Sequence, residues 1–444
     1  MTRKTEDAAA ILGSRPFGAF HARIIALCLC VQFLDGFDTQ ALAYAAPALR
    51  EAWNLTPQGL GSVAGFGAFG TGIGSVLLSP LADVWGRKKV MILAVALFGV
   101  LTLCTVFVSS VEELLILRPL TGFGLGAALP LTFVMANEFA PKAIRARMIA
   151  AMACGFAIGA ASGGLLQAEM RPFFGWQGIF FVGGIFPLFL ASALLLFLPE
   201  SVRFLAARGG HDAQIARTLK QVDPALAFEA GTEFVLPEEP KTKGFRPSLL
   251  FSHGRAAATL GLWFVFLMTL ASLNTLNNLL PFALTMAGLP EGQALRVTTL
   301  FQFGGIAGVL SLGLLADHFG YHRVLAASYA LLALCVAATG SVGGYLPALA
   351  VTVAGTGFFL VGANNTLNAF ATTLYPTEIR STGVAWASSF GRFVGGAGPI
   401  AGGVLLGALT LQPVFLLFAL PALLGAFGVL FLSRSLAAMP PAQR

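Results

Sequence analysis

Four ionisable residues stand well away from the ends of long apolar runs of this chain: Asp35, Asp38, Arg118 and Arg392. A charge near the middle of a bilayer costs roughly 2.5–3.5 kcal/mol on insertion scales, so residues of this kind usually have a partner or a function. Asp35 and Asp38 lie in Leu34-Asp35-Gly36-Phe37-Asp38-Thr39-Gln40, three apart and therefore on one helix face. Two neighbouring carboxylates in low dielectric cannot both ionise comfortably. One of them is thus a candidate proton carrier; holding a cation or bracing Arg118 are the other readings. Arg392 has no acidic residue in its own run, and the second half of the chain supplies none within the membrane. A guanidinium facing a polar cavity is a receptor for a carboxylate, which it holds through two parallel hydrogen bonds. Pairing with Asp35 or Asp38 across the cavity is the alternative. The two are compatible, because an incoming carboxylate can displace the aspartate.

Arg118 opens Arg118-Pro119-Leu120-Thr121-Gly122-Phe123-Gly124-Leu125-Gly126. Gly122 and Gly126 fall on its face of the helix and admit a close neighbour there, so the arginine is expected to look into the bundle, as a binding group or as half of a structural ion pair. Amide and hydroxyl stripes follow in the second half: Asn274, Asn277 and Asn278; Thr298 and Gln302; Asn364, Asn365 and Asn368. Such stripes line a wet cavity and hydrogen-bond solute oxygens, or they join helices to one another. Phe33 and Phe37 flank the aspartates and offer rings for stacking. The cysteines Cys28, Cys30, Cys104, Cys154 and Cys335 all fall in apolar runs without CxxC or His partners, so they read as apolar filler, with no metal and no cofactor expected.

The elements that position these residues must be membrane helices. The 444 residues are 57% hydrophobic and only 11% charged, with mean hydropathy +0.81, far from the roughly 25% charge of a soluble domain. Runs long enough to cross a bilayer fall near 22–48, 59–82, 90–109, 113–137, 148–168, 177–198, 257–287, 294–316, 324–343, 346–371, 382–407 and 412–432. With the N-terminus placed inside, only Arg50, Arg171 and, at the outer edge of the 294–316 run, Arg296 of the 27 Lys and Arg lie on the outer side. The positive-inside rule therefore puts both termini in the cytoplasm. The first run is broken by Asp35 and Asp38 and continues to a full span, so no signal-peptide cleavage is expected.

The polar stretch 199–256 reads as a cytoplasmic linker joining two six-helix halves, residues 1–198 and 257–444, and these halves echo each other. Leu81-Ala82-Asp83-Val84-Trp85-Gly86-Arg87 recurs as Leu315-Ala316-Asp317-His318-Phe319-Gly320-Tyr321, and Pro141-Lys142-Ala143-Ile144-Arg145 as Pro376-Thr377-Glu378-Ile379-Arg380, at nearly the same offset. Internal repeats of this kind are the architecture of secondary transporters, whose solute site lies near mid-membrane between the repeats. Nothing here forms a catalytic constellation, so an embedded enzyme is disfavoured.

The Asp83–Lys89 turn resembles the signature between helices two and three of the major facilitator superfamily, with Ser79 and Val84 departing from it; the Arg118–Gly126 run matches a second superfamily motif. Asp35-Gly36-Phe37-Asp38 is similar to the aromatic acid:proton symporter family within it, supported by Gly124–Pro130, Asn137-Glu138, Leu198-Pro199-Glu200-Ser201, and Gly391-Arg392 followed by Gly398-Pro399. Leu279-Leu280-Pro281 departs from the Trp-Leu-Pro frequent in that family. The resemblance implies an all-α membrane protein of major facilitator fold, with twelve transmembrane helices in two pseudo-symmetric six-helix bundles. It further implies a monomer in the cell (inner) membrane that imports a small aromatic carboxylate with protons by alternating access. Its partners are then the carboxylate, protons and the lipid bilayer, with no nucleic acid.

On these residue readings and the resemblance together, Arg392, Arg118, Asn274, Asn278, Gln302, Asn364 and Phe37 are expected to bind the solute, and Asp35, Asp38 and Glu138 to couple protons. Asp83, Gly86, Arg87 and Arg145, with Asp317 and Arg380 in the second half, are expected to gate, Asp83 pairing with Arg145 and Asp317 with Arg380 in the outward-facing state. The competing reading is a facilitator of another solute, such as a sugar or an exported drug. Leu198–Arg203 also resembles sugar porters, but a sugar gives no reason for Arg392, and drug exporters usually carry Gly-Pro where Gly159 is followed by Ala160.

Overall fold

The computed structural model describes residues 5–141, 144–226, 228, 232–235, 250–252, 255–375 and 380–437. It is built almost wholly of helices. The first half runs through α1 (Ala8–Ser14), α2 (Ala19–Trp53), α3 (Pro57–Trp85), α4 (Arg87–Thr105), α5 (Val111–Phe139), α6 (Arg145–Phe174) and α7 (Gln177–Phe197). Two short helices, α8 (Val202–Arg208) and α9 (Asp212–Val222), follow it. The second half holds α10 (Ala256–Met286), α11 (Glu291–Phe319), α12 (Tyr321–Ser341), α13 (Leu346–Leu374), α14 (Arg380–Gly395), α15 (Ala397–Ala408) and α16 (Leu411–Ala437). Among the described residues, 10 of these helices are long and apolar enough to cross a bilayer. Large apolar side chains such as Phe107, Phe173, Leu196 and Leu314 stand on the outer surface, as a lipid-facing bundle requires.

Local chemistry sets the helix ends. Asn54 closes α2 in the left-handed region, and Thr56 then caps α3 by accepting from the Gly59 amide at 3.1 Å, with Pro57 in the first helical turn. The repeated turns form as expected: Gly86 (φ 106°) and Gly320 (φ 88°) each reverse the chain in a conformation that strains other residues.

Two departures from expectation have physical causes. The run 382–407 is not one helix but breaks at Gly396 between α14 and α15. The break follows two adjacent glycines and precedes Pro399, whose missing N–H and ring disfavour an uninterrupted helix there. The polar stretch after α7 is not merely a linker. Its α8 and α9 pack against α1, and β2 (Glu233–Val235) pairs in parallel with β1 (Thr5–Asp7). Arg15 adds an ion pair to Asp223 at 2.9 Å.

Within each half, one helix pair meets backbone to backbone. Gly70 and Gly74 of α3 face α5, whose Gly122 and Gly126 face α3 in return; a Cβ on any of them would collide with the opposite main chain. Gly304 and Gly308 of α11 meet α13 in the same way. Between the halves, α3 touches α15 and α6 touches α11. Gly61 and Gly65 of α3 lie on Pro399, Ile400 and Gly403, Gly164 lies on Thr299, and Arg296 pairs with Glu169 at 3.3 Å. Arg171 is held between Glu51, at 2.5 Å, and Glu291. These contacts run from mid-bundle to the end opposite the Gly86 and Gly320 turns.

Candidate functional site

α2 is the axis of the site. Its Phe33–Gly36 face lies directly on α6, where Gly36 meets the Phe156 main chain and Gly159 meets that of Phe33. That packing turns Asp38 toward α4 and α5. The Thr102 hydroxyl on α4 donates to Asp38 Oδ1 at 2.5 Å, and Arg118 Nη1 on α5 stands 3.7 Å from Oδ2. Arg118 also rests over the Phe180 ring of α7, 4.5 Å from its centroid, a cation–π contact worth about 2 kcal/mol when desolvated. Its Nε and Nη2 have no hydrogen-bond partner. Asp38 is 1% and Arg118 6% exposed, so this pair is held away from bulk water.

Arg392 reaches the same place from the other half. Gly391 and Gly395 seat α14 against α10, and Gly396 at the helix break touches Gly65 and Ala68 of α3. This close approach on two sides brings Arg392 to the seam between halves. Among the described residues it forms no ion pair within 4 Å. The acidic charge it feels is Asp35, which in turn feels Asp38. The two aspartates therefore act on different arginines, Asp38 within its own half and Asp35 across the seam.

Between them lies a cavity of about 140 Å³, with Asp38, Arg118, Arg392, Asn274, Asn278 and Thr121 among its lining residues. An apolar cavity of about 150 Å³ holds a benzene molecule, so the space suits a single six-membered ring. Leu42, Val63 and Leu125 supply apolar wall, and two guanidiniums and two amides supply polar contacts. The arrangement can hold a small anion with a flat apolar body, and it can move a proton on a carboxyl group beside that anion. Among the described residues no cluster of metal-ligating side chains occurs.

The family model of the Major Facilitator Superfamily matches residues 28–308 and 262–443. The chain belongs to this superfamily. Facilitators are membrane transporters rather than enzymes, and this chain is a multi-pass member. It is 39% identical over 421 residues to a gallate transporter of Pseudomonas putida, covering 94% of this chain and 93% of the relative. It is 34% identical to the 4-hydroxybenzoate transporter PcaK of Pseudomonas putida, covering 96% of each. The xylose transporter XylE of E. coli, in a partially occluded inward-open conformation, superposes with TM-score 0.73 at 17% identity, covering 94% of this chain and 98% of that one, a likeness of fold.

Several residues expected at the facilitator site stand elsewhere. Phe37 turns into the first half against Gly163 and Gly183, and with Cys30 and Phe186 it lines a separate apolar groove. Gln302 donates to Asn277 Oδ1 at 3.2 Å, which Gln40 of the other half also approaches at 3.5 Å; this amide chain joins α2, α10 and α11. Asn364 is half-buried on α13 with an unpartnered Oδ1 and is not among the cavity's walls. Glu138 lies some twenty residues beyond Arg118 on α5, about 30 Å along the helix at ~1.5 Å per residue. There it pairs with Arg87 and accepts the Ser201 hydroxyl at 2.5 Å, so it is not brought to the aspartates.

The gating residues are only partly assembled. Asp83 is 74% exposed and lies 3.7 Å from Arg87, not beside Arg145. Arg145 donates instead to the Ala140 carbonyl at 3.5 Å. Both belong to the end where α3 and α6 do not close on the second half. Asp317 accepts from Tyr321 at 3.2 Å; the Arg380 side chain lies outside the described residues. Sequence reasoning missed Thr102 and Phe180, which fix Asp38 and Arg118 from α4 and α7. It also missed Glu200, which accepts from the Lys88 amide at 3.0 Å at the first turn of α4. A threonine or phenylalanine in an apolar run gives no signal of its own; Glu200, in the quoted Pro199-Glu200-Ser201, did.

Proposed function

We propose that this facilitator takes up a single-ring aromatic carboxylate, benzoate- or hydroxybenzoate-like, together with protons. The observation that carries the reading is Arg392: a guanidinium on the wall of a ring-sized cavity, with no carboxylate within 4 Å among the described residues, beside two buried aspartates. The carboxylate docks on the fork of Arg392, the ring lies against Leu42, Val63 and Leu125, and Asn274 and Asn278 meet ring substituents. Asp35 faces Arg392 when the site is empty and takes up a proton when the substrate replaces it. The gallate and 4-hydroxybenzoate specificities of the two relatives support the same class.

The chain sits in the cell membrane as a monomer of twelve spans, α6 and the α14–α15 pair being the two beyond the ten that qualify on apolarity. Residues 1–198 and 257–444 form the two bundles. The basic end, with the termini and the Gly86 and Gly320 turns, faces the cytoplasm. On that orientation the closed end is the outer one, and the molecule faces inward. The Asp83–Arg145 and Asp317–Arg380 pairs then belong to the outward-facing state, when the cytoplasmic end shuts.

The test is uptake of labelled benzoate, 4-hydroxybenzoate and gallate by cells expressing the protein, with and without a protonophore. Saturable accumulation of one of them, collapsed by the protonophore, is expected. Saturable uptake of a sugar with no response to any aromatic acid would overturn the reading.

A further inference from the structure

Asp38, Arg118 and Arg392 line the central cavity, Asp35 is buried one helical turn before Asp38, and the four charges sum to zero. Asp38 faces Arg118, with Thr102 as a neutral donor, and Asp35 is the acid whose charge bears on Arg392 across the seam. Every other helix packed against them presents neutral groups: Phe156 and Gly159 on α6, Phe180 on α7, Asn274 and Asn278 on α10, and Gly67 and Thr71 on α3. Side chains as buried as Asp35, Asp38 and Arg118 hold uncompensated charge poorly, since an ion taken from water to low dielectric loses several kcal/mol even after relaxation.

We infer that the carrier moves one monoanion with one proton and carries no net charge across the membrane in either direction. The inference rests on the aromatic-acid reading above and deepens it. The empty site crosses with both aspartates ionised, two negative charges against two positive. A bound monoanion adds one negative charge, and one proton on Asp35 cancels it. The proton forms an O–H bond with the Asp35 carboxylate on the outer side and leaves to water on the inner side. Asp35 is the member that changes, because its arginine is the one the substrate takes, while Asp38 keeps Thr102 and Arg118. A dianion would need a proton on Asp38 as well, against both of those contacts. The site therefore selects single-ring monoanions over dicarboxylates.

The experiment uses purified full-length protein in liposomes, with labelled 4-hydroxybenzoate and subtraction of protein-free vesicles. A pH gradient of one unit, inside alkaline, should give about tenfold accumulation, the ratio for one proton per substrate. A valinomycin-imposed potential of about 100 mV without a pH gradient should give none, whereas one net charge would give roughly 50-fold. Benzene-1,4-dicarboxylate at neutral pH should compete poorly. Asp35→Asn leaves the empty cavity at one net positive charge, so substrate exchange should persist while the pH gradient no longer drives accumulation. Net uptake in that variant should instead follow an inside-positive potential. Potential-driven accumulation by the wild type, equal competition by the dicarboxylate, or pH-driven accumulation by Asp35→Asn would each overturn the charge balance and leave the substrate reading standing. Absence of saturable binding or exchange of any aromatic acid would overturn the substrate reading itself.

Discussion

A single methyl group at Gly65 should tip the carrier toward its outward-open form. Cβ at this position would press on Ile400 Cγ1 and lie 2.7 Å from the Gly396 carbonyl oxygen, both on the opposite half. The isoleucine can turn aside; the carbonyl is main chain at the helix break and cannot. Overpacking of this kind costs about 1–3 kcal/mol. Only the conformation in which α3 touches α15 bears that cost, because the three atoms nearest to that Cβ all lie across the seam. The ratio of outward-open to outward-closed molecules should therefore rise between about 5-fold and 150-fold in Gly65→Ala. Spin labels at Phe174 and Leu409, exposed positions at the outer ends of α6 and α15, report the separation by double electron–electron resonance. Gly70→Ala is the control, since its Cβ would strike Pro119 within the same half. That variant should lower thermal stability without moving the distance distribution. An unchanged distribution in a folded Gly65→Ala protein would refute the idea that glycine contacts along this seam set the balance.

Other perturbations separate structural from transport roles. Removing the buried partner of Arg87 with Glu138→Gln should destabilise the protein by about 3–5 kcal/mol, read as a fall in melting temperature. The pH-driven accumulation ratio of whatever protein remains folded should not change; loss of coupling at full stability would return Glu138 to the proton path. Asp83→Asn should shift the same outer-end labels toward the closed, inward-facing distance, because the charge that holds the cytoplasmic end shut is gone. A distribution identical to wild type with full transport would make the turn merely topogenic. Arg171→Glu should weaken outer closure by setting a third acid beside Glu51 and Glu291, and adding Glu291→Arg should restore it; a double variant no better closed than the single one would remove this pair from the gate.

Much of this architecture was legible in the chain because membrane helices announce themselves by length and apolarity, and because Gly86 and Gly320 mark matching turns. Gly122 and Gly126 foretold a close neighbour, and α3 supplies it with glycines of its own. What failed was the direction of side chains around a helix. Asn274, Asn277 and Asn278 lie within one arc of α10, yet two line the cavity while Asn277 turns to Gln302 and Gln40. Phe37 sits between the two aspartates in sequence, and the packing of α2 on α6 sends it into the first half. A spacing of three or four residues defines a face; which neighbour that face meets depends on helices hundreds of residues away. The same holds for the three-residue pairing of β1 with β2, too short to leave a pattern.

The central claim is that Arg392 receives the substrate carboxylate. Titration calorimetry of the purified protein with 4-hydroxybenzoate and with its neutral amide, for wild type, Arg392→Lys and Arg392→Ala, tests it most directly. Truncating one member of a buried charged pair costs about 2–5 kcal/mol, so Arg392→Ala should bind the acid at least about 30-fold more weakly. Arg392→Lys, which keeps the charge and loses the planar fork, should fall between it and the wild type. The wild type should prefer the acid to the amide, and Arg392→Ala should lose that preference. Equal affinity of the wild type for acid and amide, or undiminished acid binding by a folded Arg392→Ala protein, would contradict the account.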